Sequence, residues 1–242
     1  MERDPVDTLQ TIRKIVQKMM TARKYDFNST AHQSVFELYP TYQEFQKFFD
    51  KEGGNILSVL HQLKEIYTKA KPITNGENNI IILWYNDLRR ATIKYIADVM
   101  AQHSTKHSIV IYFGKKTSYA PPAIREFSNA QNIQIEIFEY KELMFDVTEH
   151  VLVPRHIICS PETKAAIIKD YAVTKDQLPK IRLDNPVCKF IGAKRGNLIK
   201  IVRNTRAFDI PSDALNNTTL TPMQKNEHKN KKLYDITYRL VV

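Results

Sequence analysis

The chain has 242 residues, 43% of them hydrophobic, which suits one large or two small folded domains and is too apolar for a disordered chain. No apolar run nears the ~18 residues of a membrane span, the polar, acidic start does not read as a secretory signal, and two cysteines, Cys159 and Cys188, make neither a disulfide framework nor a four-ligand zinc set and suit a reducing compartment. The net charge of +10 is uneven: residues 1–146 carry 19 basic and 17 acidic side chains, residues 147–242 carry 17 and 9, so the basic excess is either a solvated C-terminal surface or a face for a polyanion.

The first element reads as a helix. Asp4 and Pro5 give an N-cap and a proline at the first helical position, and Leu9, Ile12, Val16 and Met19 recur at helical spacing. Thr41 with Glu44 opens a second helix as a capping box; Phe45, Phe48 and Phe49 form its apolar face, and Gly53-Gly54 ends it. Residues 56–67 fit a helix better than a strand, because Ile56, Leu57, Leu60, Leu63 and Tyr67 follow a helical period. A polar loop is expected at 72–79.

An alternation of strands and helices follows. Strands are expected at 80–85, 109–113 and 133–138, a helix at 91–103, a loop at 114–122 and a short helix at 123–130. That order predicts a small α/β domain with crossover connections. Past Thr148 the texture changes. Pro154, Pro161, Pro179 and Pro186 punctuate the chain. Ser160 with Glu162 opens a helix through Tyr171, and 199–202 and 236–242 are strand-like. Residues 204–232 are polar without a sustained apolar period and read as a long insertion. The boundary falls near Asp146, giving domains 1–146 and 147–242 of mixed α/β (α+β) class.

Catalytic signatures are scarce: the six glycines are scattered, so neither a phosphate-binding loop nor a dinucleotide fingerprint can be built. One rival chemistry is open. Glu139 and Lys141, with Asp87 upstream, have the residue types of a Mg²⁺-dependent nuclease, if the strand carries both on one side. The other reading of that pair is a solvent-facing strand edge. His150, His156 and Cys159 match no standard zinc spacing and lack a fourth ligand. The expectation is no catalytic residue, metal or cofactor. Lys115, Lys116, Thr117, Ser118 and Tyr119 form the best local candidate for phosphate contact, since two ammonium groups and two hydroxyls on a loop suit backbone recognition without base readout. An ordinary solvated turn is the alternative.

The C-terminal third carries more specific blocks. They are His150-Val-Leu152-Val-Pro154-Arg-His156, Ser160-Pro-Glu162, Gln177-Leu178-Pro179-Lys-Ile181, Asp184-Asn-Pro186-Val187, Ile191-Gly192-Ala-Lys194-Arg195-Gly196 and Thr237-Tyr238-Arg239-Leu240-Val241. In order and spacing they resemble the C-terminal domain of the fifth subunit shared by eukaryotic nuclear RNA polymerases. They equally resemble the archaeal RNA polymerase counterpart of that domain, which lacks a jaw. The N-terminal part resembles the eukaryotic subunit's jaw domain more weakly, through Tyr42-Gln-Glu44-Phe45 and Gly53-Gly54.

The resemblance implies a non-catalytic structural subunit, one copy per polymerase, for which 147–242 docks on the largest subunit and touches other core subunits. Partner-binding residues would then be His150, Leu152, Pro154, His156, Leu178, Pro179, Pro186, Gly192, Arg195, Gly196, Tyr238 and Arg239. It also implies a loop near downstream duplex DNA. The family's Thr-Pro-Ser-Ala is matched here by Ala120-Pro121-Pro122-Ala123, which lacks the hydroxyls, so Lys115 and Lys116 would supply charge instead, with Thr117, Ser118, Pro121 and Arg125 beside them. The location implied is the nucleus for a cellular protein, or a cytoplasmic viral factory or the virion for a viral one. A transient transcription adaptor is the remaining alternative.

Overall fold

The structure, a computed structural model, describes residues 4–27, 35–39, 41–69, 79–205 and 233–242. It divides into two compact units, Met1–Asp146 and Val147–Val242.

The first unit opens with α1 (Pro5–Ala22), capped where the Asp4 side chain accepts the Val6 N–H. Leu9, Ile12, Val16 and Met19 are all buried, as the period requires. β1 (Tyr25–Phe27) and the short α2 (Val35–Leu38) follow. In α3 (Tyr42–Lys51) the Thr41 side chain accepts the Glu44 N–H while the Glu44 carboxylate accepts the Thr41 N–H. Phe45, Phe48 and Phe49 point into the core.

The expected helix over 56–67 is wrong in its second half. α4 (Ile56–Val59) and a 3₁₀ turn (Leu60–Gln62) account for the helical spacing, but the chain then extends as β2 (Lys64–Lys69). The tertiary pairing overrides the local period: β2 lies between β1 and the next strand, β3 (Asn79–Tyr85), and is antiparallel to both. The strand was disguised by Glu65, a fully buried carboxylate whose partner is Arg13 of α1 at 3.1 Å. Asn79 begins β3, and the rest of the loop expected at 72–79 lies outside the described residues.

The expected alternation continues with α5 (Arg90–Gln102), β4 (His107–Tyr112), α6 (Ala120–Gln131) and β5 (Gln134–Glu139). The sheet order is β1-β2-β3-β4-β5, with β3, β4 and β5 parallel. Ile81, Leu83, Val110, Tyr112 and Ile135 pack with Ile93, Ile96, Met100 and Ala123 of α5 and α6 in one core. The opposite face meets α1, which is pinned at its middle by Arg13–Glu65 and at its C-terminal end by Arg23–Glu136 at 2.9 Å. One boundary is corrected: α6 begins at Ala120, not at residue 123. Pro121 and Pro122 sit in its first turn, where a missing N–H costs nothing and the fixed φ favours the helix.

In the second unit a 3₁₀ turn (Val147–Glu149) leads to β6 (Arg155–Ile158), α7 (Pro161–Asp170), β7 (Lys180–Ile181), α8 (Pro186–Phe190), β8 (Leu198–Thr205) and β9 (Leu233–Val241). The sheet order is β6-β8-β9-β7. Alternate residues of β8 serve two cores: Leu198 packs with Ile167 of α7 and with Leu178, while Ile199 and Ile201 pack with Cys188 of α8, Ile181 and Val241. Gly192 and Gly196 take φ of 69° and 83°, the left-handed region that favours glycine, in the turn entering β8. Asn204 and Thr205, expected to begin the insertion, instead continue β8 and pair with Tyr234 and Leu233; residues 206–232 lie outside the described residues. Among the described residues no helix is long and apolar enough to cross a membrane.

Candidate nucleic-acid and assembly surfaces

Parallel strands end together, so the segments after β3, β4 and β5 gather at one end of the first sheet. The loop after β4 is strapped to the segment after β3. Gly114 donates its N–H to Asn86 O at 2.7 Å, Leu88 to Lys115 O at 3.0 Å and Thr117 to Leu88 O at 3.0 Å. The Lys115 N–H also donates to Asp87 Oδ1 at 2.8 Å. That bond, then the Arg89 side chain at 3.1 Å, holds the Asp87 carboxyl below its ordinary range. The lysine side chains stand exposed on this strapped loop. Thr117 is different: its hydroxyl donates to Leu88 O at 3.1 Å, so it is engaged in the strap. Ser118 is exposed, Pro121 is half-buried in the first turn of α6, and Arg125 is exposed one turn on.

Gly114 carries the arrangement, and the sequence reasoning overlooked it. A Cβ there would lie 2.4 Å from Asp87 Oδ1 and 2.7 Å from Asn86 Oδ1. A larger residue there would push both side chains aside, including the Asp87 carboxylate that accepts the Lys115 N–H. The available signal was a small residue directly after a buried strand and before two lysines.

The geometry gives the nuclease alternative no support. Asp87 follows β3 and Glu139 ends β5, with β4 between them. Two strand spacings put such positions roughly 10 Å apart. Lys141 is not on the strand: it lies in a 3₁₀ turn (Tyr140–Leu143), over the Tyr140 ring and 3.7 Å from the Glu139 carboxylate. Among the described residues no three His, Cys, Asp or Glu side chains converge on a common point. His156 turns its Nδ1 to Pro154 O at 2.7 Å, and His150 Nδ1 accepts the Leu152 N–H at 3.2 Å, so both rings are local braces. Burial, opposed by that carbonyl contact and helped by Arg203 and Arg239, holds the His156 ring below its ordinary pKa.

The expected partner-binding residues sort by exposure. Leu178 is buried beneath α7 with Leu198, so it supports a surface without presenting one. Pro179 forms the corner into β7 and its carbonyl accepts the Leu240 N–H at 2.8 Å. Pro186 starts α8 behind an Asn185 cap. Gly196 accepts the Lys164 ammonium at 2.7 Å, beside exposed Arg195. Pro154, His156, Gly192, Tyr238 and Arg239 are half-buried, and His150 and Leu152 are exposed. Sequence reasoning missed Val151, Ile157, Ile158 and Ile236, apolar side chains that stand exposed in the same unit.

Comparison with known proteins converges on this unit first. Residues 145–209 match the family model for the C-terminal domain of RNA polymerase Rpb5. A Dictyostelium discoideum relative, "DNA-directed RNA polymerases I, II, and III subunit rpabc1", is 29% identical over 203 residues, covering 83% of this chain and 92% of its own. The similarly named subunits of Caenorhabditis briggsae and Caenorhabditis elegans are each 34% identical over 112 residues, 46% of this chain and 52% of theirs. An alignment of 203 residues is longer than either unit, so it must take in parts of both. Residues 145–209 are thus similar to the C-terminal domain of RNA polymerase Rpb5, in a chain whose similarity to the Dictyostelium discoideum subunit of RNA polymerases I, II and III extends across both units.

Proposed function

We propose that this chain is a non-catalytic structural subunit of a multisubunit DNA-directed RNA polymerase, present at one copy per enzyme. The carrying observation is the match that spans both units, with the Rpb5 C-terminal domain as its most specific part. In this reading residues 147–242 seat on the largest subunit and its neighbours, and the first unit forms the jaw. The relatives serve three eukaryotic polymerases by name, which favours the nucleus as the location. Purification of the tagged chain from its native source tests the reading. The polymerase subunits should accompany it at equal stoichiometry through a high-salt wash; an adaptor would wash away.

Within that assembly the loop of Lys115 and Lys116 lies along downstream duplex DNA. A glycine-pinned loop holding two exposed ammonium groups fits phosphate contact without base readout. Thr117 keeps the loop closed, and Ser118 and Arg125 extend the contact, with Pro121 setting the turn between them. Replacing both lysines by glutamate should weaken DNA retention by the assembled polymerase and reduce its salt slope by about 2, roughly one unit per lost phosphate contact. An unchanged slope would exclude the loop from the DNA path.

A further inference from the structure

β6 is one of the two edge strands of the second sheet, and among the described residues nothing pairs with its outer side. The Cys159 N–H donates to Leu198 O at 2.8 Å, so residue 159 faces β8. Successive residues of a strand aim their backbone groups to opposite sides. Arg155 and Ile157 therefore share the inward side, while His156 and Ile158 turn their N–H and C=O groups outward. Such a row is a template for another strand, and proteins ordinarily blunt it with charge, proline or cover.

Here the surroundings are apolar as well as open. Val202 lies in register with Arg155 on one side and Ile236 on the other, and Lys200 lies between Ile157 and Tyr238. These side chains share the sheet face that α7 covers toward Leu198, Tyr238 and Leu240. At the uncovered end Ile157 is 37% and Ile236 44% exposed. Just before β6, Val151 is 96% and Leu152 83% exposed. They are presented on an ordered turn, closed by the Val153 N–H on His150 O at 2.9 Å. The charge is one-sided: β6, β8 and β9 carry Arg155, Lys200, Arg203 and Arg239 against a single acid, Asp235, which pairs with Arg203 at 3.4 Å.

We propose that the outer edge of β6 receives an extended segment of the polymerase, mixed acidic and apolar in sequence, as an added strand of this sheet. The inference rests on the polymerase-subunit reading above. Main-chain bonds to His156 and Ile158 would supply affinity, and alternate side chains would read the apolar face and the surrounding cations. A second copy of this chain is the poorer occupant, because it would set one basic edge against another.

The test uses the tagged full-length chain expressed in its native source, as wild type, Ile158→Pro and Leu152→Asp. Proline at 158 removes an outward donor and no β6–β8 bond, a substitution that edge strands tolerate. Leu152 is too exposed to matter to folding. Both variants should be retained on the polymerase roughly tenfold less than wild type. In the assembled wild-type enzyme the His156 and Ile158 amides should exchange about tenfold or more slower than in the free chain, and this second measurement decides the matter if a variant proves unstable. Equal retention with unprotected amides overturns the added strand and leaves the polymerase reading standing. A wild-type chain that brings down no polymerase sinks both. A free chain that dimerises, and that Ile158→Pro makes monomeric, would put a second copy on the edge and overturn the inference.

Discussion

Replacing Glu136 by glutamine should cost the first unit about 3 kcal/mol at neutral pH. Glu136 accepts Arg23 at 2.9 Å, the His107 ring at 2.7 Å and the Gln134 amide at 3.0 Å. The Arg23 side chain is only 4% exposed and that of Glu136 20%, so solvent screens the cluster weakly. Burial alone would raise the Glu136 pKa; the Arg23 guanidinium and the His107 contact outweigh it and hold the carboxyl down at about 2, from an ordinary 4.5. At about 1.4 kcal/mol per pH unit, that depression corresponds to roughly 3 kcal/mol of folding free energy. The sign follows from a folded pKa below the unfolded one. The contribution is complete above about 4.5, shrinks as pH falls and is gone near 2. Glutamine keeps the volume and removes the charge. Denaturant unfolding followed by fluorescence of Trp84, the single tryptophan, should show the full gap between wild type and variant at pH 7 and a much smaller one at pH 3. Trp84 is buried in this same unit, so it reports the right transition. A gap below ~1 kcal/mol at pH 7, or one that does not narrow on acidification, would refute the reasoning.

Other substitutions probe the remaining devices. Gly114→Ala must displace either Asp87 or the loop, given the 2.4 Å approach. It should destabilise the first unit by about 1 kcal/mol, the worth of one hydrogen bond, and speed exchange of the Lys115 amide. Thr41→Ala removes the cap on α3 and should cost about 1 kcal/mol by denaturant unfolding. Duplex DNA incubated with the purified chain and Mg²⁺ should stay intact on a gel; cleavage lost on Lys141→Ala would revive the nuclease alternative.

Local chemistry was legible where one segment alone decided the outcome. The Asp4 and Thr41 caps, the α1 face of Leu9, Ile12, Val16 and Met19, and the apolar run of β3 are of that kind. So are the proline corners of the second unit, whose blocks also carried the family resemblance. What stayed hidden depends on partners far away in sequence. β2 is a strand because it lies between β1 and β3, and its buried Glu65 is paired by Arg13, 52 positions earlier. The loop after β4 had visible lysines, but the tether that fixes it, Asp87 on the Lys115 amide across 28 positions, has no local signature. β7 pairs over only two residues and has no periodicity to detect.

The same logic explains why the exposed residues of the second unit went unnoticed. Val151, Ile157 and Ile236 look like ordinary core candidates in sequence, since apolar composition says nothing about which side of a sheet is covered. The covering helix α7 is short and apolar only in part, with Ile167 its buried residue. One helix of 10 residues spans about 15 Å and cannot shield both ends of a sheet face while packing on Leu198 and Leu240. The uncovered end therefore follows from a mismatch between strand length and helix length. β8 and β9 run 8 and 9 residues, longer than α7 can cover, which leaves apolar side chains exposed beside a strand edge that is open among the described residues.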